Sequence, residues 1–308
     1  MLRGAADHAC PRPSAGRAPA SAKERADDLC GHQDLVVTRA TPDDWAVVAR
    51  WAGDEGWNPG LSDPSCFFAQ DPEGFFIGRL DGEPVSSVSV VTYGADHAFL
   101  GFYLVRPDLR GRGHGLATWR TALAHAGDRT VGLDGVVAQQ DNYRRSGFEP
   151  AHRTYRYAGV IPEAAPPDGL VPVRDAASLA AYDNACHPAD RPRFLERWLT
   201  TDGHRALARI VDGRLAGYGV IRPGRDALRI GPLFADTPAD ARALLAGLAA
   251  EAAGRALAID VPEPNTAAVA LAEEYGLTPS FETARMYTGP VRPYATERVY
   301  GITTLELG

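Results

Sequence analysis

The sequence predicts an α/β protein made of two similar halves, each a mixed, mostly antiparallel sheet flanked by helices. Its 308 residues suit two domains of ordinary size. In both halves, three strand-like runs precede a helix, a strand, a second helix and a last strand. The halves also end alike, since Phe148-Glu149-Pro150 is echoed by Leu277-Thr278-Pro279. We therefore predict a degenerate internal duplication of one fold.

The first half is predicted to span residues 34–159, after a disordered tail at residues 1–33. A strand at 34–38 leads into a helix at Thr41-Pro42-Asp43-Asp44, where a capping hydroxyl precedes a proline and two acids. After a loop at 55–60, three strand-like runs separated by Asp81-Gly82 and Gly94-Ala95-Asp96 predict an antiparallel meander, which helices and strands follow. These elements cover residues 74–80, 83–93 and 98–105, a helix around 116–126, a strand at 130–137, a short helix at 139–146 and a strand at 153–157.

A proline-rich linker at residues 160–168 precedes the second half, residues 169–308. Its predicted strands lie at 206–211, 214–222 and 227–234, followed by a helix from 237, a strand at 256–261, a helix at 265–275 and a strand at 281–287. Four polar residues on its first helical stretch are expected to form a solvated helix face: Asp183, His187, Arg191 and Arg193.

Composition and charge exclude several classes of protein. The chain is 45% hydrophobic and 23% charged, and no apolar run approaches the roughly 20 residues of a membrane span. A net charge of −7 provides no basic field for nucleic acid or anionic lipid. Cys10, Cys30, Cys66 and Cys186 form no C-x-x-C pair, and no H-x-x-x-H spacing occurs. We therefore expect a cytoplasmic protein with a small ligand, no metal, and neither nucleic acid nor a membrane as partner.

A loop rich in glycine and arginine is the strongest functional signal. Residues 104–117 read L-V-R-P-D-L-R-G-R-G-H-G-L-A and pass from an apolar strand into a helix. Unpaired N–H groups at the helix start, flexible glycines, and the charges of Arg110 and Arg112 together suit a pyrophosphate. No P-loop tripeptide occurs, and Leu116 and Thr118 stand where a dinucleotide fingerprint needs glycine or alanine. Nucleotide triphosphate hydrolysis and a Rossmann site are therefore disfavoured.

The loop resembles the Arg-x-x-Gly-x-Gly acyl-CoA signature of the GNAT superfamily of N-acetyltransferases, and Val105-x-Pro107 and Asn142-Tyr143-x-x-x-Gly147-Phe148 are also similar to that family. The resemblance implies acetyl-CoA as cosubstrate, with loop amides on its pyrophosphate and the preceding strand along its pantetheine. It also implies that Tyr143 is the general acid. The cofactor-binding residues carried over are Leu104, Val105, Arg110, Gly111, Arg112, Gly113, His114, Gly115 and Asn142.

The second half is similar to that of a bacterial tandem GNAT subgroup whose second domain has diverged. The loop at residues 55–60 belongs to this resemblance, which implies no particular substrate. The similar residues of the second half are Gly217-Tyr218, Gly231-Pro232-Leu233, Thr283-x-Arg285-Met286-Tyr287 and Gly301-Ile302-Thr303-Thr304. The loop that would correspond to the acyl-CoA signature has Asp236, Pro238 and Asp240 and no arginine, which disfavours an anion. We therefore expect one acetyl-CoA per chain.

Acetyl transfer requires a neutral amine, a stabilised carbonyl oxygen and a proton for the departing thiolate. Tyr143 suits the last role, since a phenol with a pKa near 10 can donate to a thiolate. The base stays open, because the strand at 98–105 has no carboxylate; Asp134, Glu55, Asp63 and a water relay are the alternatives. Trp57 and Asn58, with Asp63, are expected to line the amine site, because an aromatic face suits an ammonium group.

These observations predict an N-acetyltransferase that moves an acetyl group directly, in a ternary complex, to the primary amine of a small molecule. The second half would shape the cleft or a homodimer. One alternative is a non-catalytic acyl-CoA sensor, which Tyr143 disfavours. The other is a protein N-acetyltransferase, which would need a more open groove.

Overall fold

The computed structural model describes residues 34–163 and 165–308, so the predicted tail at 1–33 lies outside the described part of the chain. The predicted elements of the first half are all present, and an eight-residue helix, α2, is added after the loop at 55–60. Two turns are too short for a helical period to stand out in a sequence. The elements are β1 (Val36–Arg39), α1 (Pro42–Asp54), α2 (Asp63–Gln70), β2 (Phe75–Leu80), β3 (Glu83–Tyr93), β4 (His97–Val105), α3 (His114–Leu123), β5 (Thr130–Val136), α4 (Gln140–Arg145) and β6 (Glu149–Val160).

The second half adds three elements that the sequence analysis did not predict: β7, α6 and β13. Two of these have only three residues, too few for any alternation to be read. In order, the elements are β7 (Leu170–Pro172), α5 (Ala176–Cys186), α6 (Pro192–Thr200), β8 (Arg205–Val211), β9 (Arg214–Arg222), β10 (Leu228–Ala235), α7 (Pro238–Ala252), β11 (Ala256–Pro262), α8 (Thr266–Glu274), β12 (Thr278–Tyr287) and β13 (Val299–Gly301).

Helix starts follow the predicted capping chemistry. The Thr41 hydroxyl accepts a hydrogen bond from the backbone N–H of Asp44 at 3.2 Å, and the Asp44 carboxylate accepts one from the backbone N–H of Thr41 at 2.9 Å. Thr237 caps α7 in the same way, by accepting from the N–H of Asp240 at 3.2 Å. The Thr-Pro-x-Asp pattern therefore fixes where both helices begin.

The two halves share one sheet and exchange their last strands. In the described part of the chain the strand order is β1-β2-β3-β4-β5-β12-β6-β11-β10-β9-β8-β7, with β13 beside β10. Strand β12 of the second half pairs antiparallel with β5, and β6 of the first half pairs antiparallel with β11. Each half therefore has the same order of five strands and is completed by a strand from the other half. Leu35–Gly308 accordingly forms one compact unit.

Strands β4 and β5 begin as a parallel pair and then part. Their pairing covers only residues 97–100 of β4 and 130–133 of β5. Just beyond it, Phe102 has a positive φ of 48°, and the β3–β4 register shifts there, as at a β-bulge. Past this point, no other strand in the described part of the chain covers the edge of β4 that faces β5.

The equivalent opening in the second half is filled. Strands β10 and β11 pair in parallel through residues 228–230 and 257–259, and β13 then pairs with β10 where the two strands part. The backbone N–H of Ile302 donates to the Asp260 carbonyl of β11 at 2.9 Å, which closes the gap from the other side. Of these two positions, only the one between β4 and β5 therefore keeps an open cleft.

The core runs across the boundary between the halves. Phe67 of α2 stacks on Phe194 of α6, and both are buried. The expected solvated helix face was wrong for three of its four residues, because Asp183 of α5 and His187 and Arg191 of the connection to α6 are 2–3% exposed, and only Arg193 of α6 faces solvent. Arg191 binds both oxygens of Asp183, which satisfies the buried charges. No helix among the described residues is long and apolar enough to span a membrane.

Candidate active site

The opening between β4 and β5 is a cleft of about 550 Å³. Residues 100–105 of β4 line one wall, and Leu133, Asp134 and Val136 of β5 line the other. The glycine-rich loop lies at one end. Because the facing edge of β4 has no strand partner, its backbone groups are available to an extended ligand.

The loop needs glycine at several places. Gly111 and Gly113 have φ values of 77° and 85°, a region that other residues rarely adopt, and Gly113 immediately precedes α3. A Cβ on Gly115 would lie 2.6 Å from Cγ2 of Val105 and 2.8 Å from the Tyr103 hydroxyl. All three glycines and His114 line the cleft. The unpaired N–H groups of the first turn of α3 thus lie at its end, which fits a pyrophosphate.

Arg110 links this loop to its surroundings. Its Nε donates to the Val105 carbonyl at the end of β4 at 3.0 Å, and its Nη2 forms an ion pair with Glu55 just after α1. About half of its side chain is exposed. Arg112 is exposed and does not line the cleft.

Tyr143 projects from α4 into the cleft and is held firmly. Its ring stacks on Trp119 with centroids 5.6 Å apart, and a Cβ at Gly135 of β5 would collide with it. Burial, helped by the neighbouring Tyr103, raises the pKa of its hydroxyl, so the phenol is protonated at neutral pH. No residue in the described part of the chain hydrogen-bonds to this hydroxyl, which leaves its proton available.

Two of the three carboxylates considered for the base, Asp134 and Glu55, lie at the cleft, and both have partners. Asp134 accepts hydrogen bonds from Nε and Nη2 of Arg285 at 3.0 and 2.7 Å. Burial opposes the charge on Arg285, but Asp134 raises the pKa of this guanidinium well above its usual value. Glu55 is bound by Arg110. Both carboxylates line the cleft, but each is engaged in an ion pair.

Of the three residues expected at the amine site, only Trp57 lines the cleft. The Asn58 side chain accepts from the backbone N–H of Asp226 at 2.9 Å and donates to the Ala227 carbonyl, which ties its loop to the β9–β10 turn. Asp63 is fully buried and forms a two-bond ion pair with Arg222. The side chains of Asn58 and Asp63 therefore connect the two halves and do not line the cleft.

The second half supplies cleft residues that the sequence analysis missed. Phe281 and Thr283 come from β12, and Leu305 and Glu306 come from the segment that follows β13. The exchange of strands brings β12 beside β5, so its side chains face the cleft. A local signal existed for Glu306, since it is the one charge in an otherwise uncharged segment, residues 302–308.

Of the residues predicted to bind cosubstrate, eight line the cleft and Arg112 does not. Those in the lining are Leu104, Val105, Arg110, Gly111, Gly113, His114, Gly115 and Asn142. A parted strand pair, a glycine-rich helix start at its end and a protonated tyrosine facing the gap together define the class of acyl-CoA-dependent acyltransferases.

Comparisons with known proteins agree with this class. The description "Acetyltransferase (GNAT) family" matches residues 42–159, and "Acetyltransferase (GNAT) domain" matches residues 179–301. Holothin acyltransferase of Pseudoalteromonas sp. is 34% identical over 90% of this chain and 96% of its own length. The chain therefore belongs to the GNAT acetyltransferase family and carries two GNAT domains in tandem.

Solved structures show the same architecture. A putative acetyltransferase from Pyrococcus horikoshii superposes with a TM-score of 0.78 at 25% identity, covering 90% of this chain and 96% of that one. A tandem GNAT protein from the clavulanic acid biosynthesis pathway gives a TM-score of 0.56 at 18% identity, over 83% and 99% of the two chains. The second likeness bears on the fold alone.

Proposed function

We propose that this protein transfers an acetyl group from acetyl-CoA to the primary amine of a small molecule, in one step within a ternary complex. The observation that carries the proposal is that a single cleft contains the glycine-rich loop, the unpaired edge of β4 and the Tyr143 hydroxyl. These are the groups needed to bind a pyrophosphate, to hold an extended arm and to protonate a thiolate.

The cleft suits coenzyme A along its length. The first turn of α3 and Arg110 would hold the pyrophosphate, and residues 101–105 of β4 would hydrogen-bond the pantetheine arm as a neighbouring strand would. The arm then ends beside the bulge at Phe102. Tyr143 faces the same gap, where it donates its proton to the departing sulfur.

A small acceptor is favoured over a protein because both halves enclose the cleft. Trp57 comes from the first half, whereas Phe281 and Leu305 come from the second. Together they give an apolar and aromatic surround that suits the body of a small amine. The relative named holothin acyltransferase, similar along almost its whole length, also supports a discrete acceptor.

The test is to measure release of free thiol from acetyl-CoA with a panel of amines, amino acids, polyamines and aminoglycosides, and to repeat it with longer acyl-CoAs. Transfer to at least one amine, with acetyl-CoA the better donor, is the expected result. Binding of acetyl-CoA without transfer to any amine would favour the non-catalytic sensor. Transfer to lysine peptides alone would favour the protein acetyltransferase.

Replacing Arg110 by alanine should raise the Kd for acetyl-CoA about 10- to 100-fold, as expected for loss of a charge-assisted bond worth about 1.5–3 kcal/mol. The lower end is expected, because the side chain is half exposed. Calorimetry gives the Kd directly. Arg106→Ala is a matched control, since Arg106 binds Asp108 outside the cleft. If Arg110→Ala and Gly113→Val both bound acetyl-CoA as the wild type does, the site would lie elsewhere.

The chain should bind one acetyl-CoA, because β13 fills the opening in the second half that corresponds to the cleft. The junction after β10 also has Asp236 and Asp240, whose charge opposes an anion. Calorimetric titration of the intact protein should give a stoichiometry of one. A value near two, with both sites surviving Arg110→Ala, would show that the second half also binds cosubstrate.

A further inference from the structure

The segment after β13, residues 302–308, crosses from the second half to the first and ends beside the cleft. The Tyr93 hydroxyl donates to the Leu307 carbonyl at 3.1 Å, and the Thr304 hydroxyl accepts from the backbone N–H groups of Glu306 and Leu307 at 3.2 and 2.9 Å. Every residue of the segment is buried. Its conformation is therefore fixed by hydrogen bonds and packing.

Glu306 lies where β4 and β5 part. A Cβ on Gly101 would lie 2.5 Å from the Glu306 carbonyl oxygen and 3.0 Å from its Cα, so the segment packs directly on β4 there. Gly101 follows Leu100, the last residue of β4 that pairs with β5. Val105 lies next to the glycine-rich loop. The distance along β4 from Val105 to Gly101 is about 13 Å, at about 3.3 Å per residue. The reactive end of an arm extended along β4 thus comes close to Glu306.

The charged groups around Glu306 bind one another. Asp63 of α2 binds Arg222, while Asp260 of β11 binds Arg156 of β6 at 2.8 Å and also Arg229 of β10. No ion pair or hydrogen bond joins the Glu306 carboxylate to another described residue. Burial raises the pKa of this carboxyl to about 7, with Asp63 and Asp260 adding to the rise and Arg229 and Arg156 opposing it.

Three residues with carboxylates line the cleft, and two of these carboxylates form ion pairs with arginines. Asp134 is bound through both oxygens by Arg285, and Glu55 is bound by Arg110. Among the described residues that line the cleft, only Glu306 has a carboxylate without a hydrogen-bond or ion-pair partner. We propose that Glu306 is the general base that takes a proton from the ammonium of the acceptor. This inference rests on the proposed function and assigns the group that the first half does not supply.

Glu306 takes one proton from the ammonium and releases it to solvent, which frees the nitrogen lone pair. The bond that forms joins this nitrogen to the thioester carbonyl carbon, and the bond that breaks is the carbon–sulfur bond. The nitrogen loses its surplus proton to solvent, while Tyr143 gives its proton to the sulfur and regains one from solvent. An ammonium and a thioester thus become an amide, a thiol and one released proton.

The test compares wild type with Glu306→Gln, using acetyl-CoA and the alkylamine that wild type acetylates fastest in the panel above. Log kcat/KM of the wild type should rise with pH with a slope of one and level off near pH 7, because only ionised Glu306 accepts a proton. Glu306→Gln should lower kcat/KM about 100-fold at pH 7 and abolish the levelling near pH 7, because kcat/KM then follows the fraction of neutral amine and keeps rising toward the pKa of the amine, with the Kd for acetyl-CoA unchanged. Glu306→Asp should restore part of kcat/KM, and its kcat/KM should again level off near neutral pH.

Glu263→Gln is the control, since Glu263 is exposed and outside the cleft, and it should behave as wild type. The inference is overturned if Glu306→Gln keeps the wild-type kcat/KM and still levels off near pH 7. It is also overturned if the Kd of this variant for acetyl-CoA rises as much as its kcat/KM falls. If Glu306→Gln does not fold, the inference is overturned when the wild-type profile of kcat/KM against pH shows no ionisation between about pH 6 and 8. Wild type that acetylates no amine refutes the proposed function itself.

Discussion

Tyr143→Phe should lower kcat by about 10² to 10⁴ and leave the Kd for acetyl-CoA unchanged. The ring would stay stacked on Trp119 and beside Gly135, so the cleft keeps its shape. Only the proton for the departing sulfur is lost, and a thiolate leaving without it costs free energy in the transition state. Burial keeps the hydroxyl protonated at neutral pH, so the whole wild-type population can donate.

Single-turnover measurements with the acceptor amine, together with calorimetry for acetyl-CoA, separate the chemical step from binding. Tyr275→Phe is the matched control, because its hydroxyl lies away from the cleft and donates a hydrogen bond to the Arg242 carbonyl. It should have the wild-type kcat. A Tyr143→Phe protein with wild-type single-turnover rate would assign the proton donor to water or to another group.

Asp134→Asn should lower the free energy of unfolding by about 3–5 kcal/mol. Asp134 and Arg285 form a buried ion pair that joins β5 to β12, and the guanidinium also lies over the Phe99 ring, 4.9 Å from its centroid. An amide removes the negative charge and leaves Arg285 buried without a counterion. The penalty is therefore the desolvation of an uncompensated cation, which exceeds the loss of one hydrogen bond.

Urea denaturation of both proteins measures this difference. Glu274→Gln provides the comparison, because Glu274 and Arg242 form an equally close pair with about half of each side chain exposed. Breaking that pair should change the free energy of unfolding far less than Asp134→Asn does, because solvent screens an exposed pair and rehydrates the partner that remains. A similarly small change for Asp134→Asn would mean that the Asp134–Arg285 pair contributes little and that Asp134 could serve as the base.

The sequence predicts well those features that depend on neighbouring residues. The path from β4 through Gly113 into α3 could be read because the apolar strand, the left-handed glycines and the helix start follow one another along the chain. The cap at Thr41 is equally local. Tyr143 was predicted in the same way, through its spacing from Gly147-Phe148, and it lines the cleft.

Features that depend on distant partners were not predicted. The alternation in β6 is the same whether it pairs with its own half or with β11, so nothing in the strand announces the exchange. Asp134 lies within β5, inside the strand predicted at 130–137, but its partner Arg285 lies on a strand of the other half. Glu306 was missed for the same reason, since it meets Gly101 across about two-thirds of the chain.

The exchange of β6 and β12 has a consequence for how the protein is made. As the chain leaves the ribosome, β5 and β6 are complete long before β12, so the facing edges of both strands wait for a partner until the second half has been synthesised. The segment that carries Glu306 arrives later still. An unfinished chain can thus contain the whole glycine-rich loop and still lack a wall of the cleft, so we expect the complete cleft to form only after both halves have been synthesised.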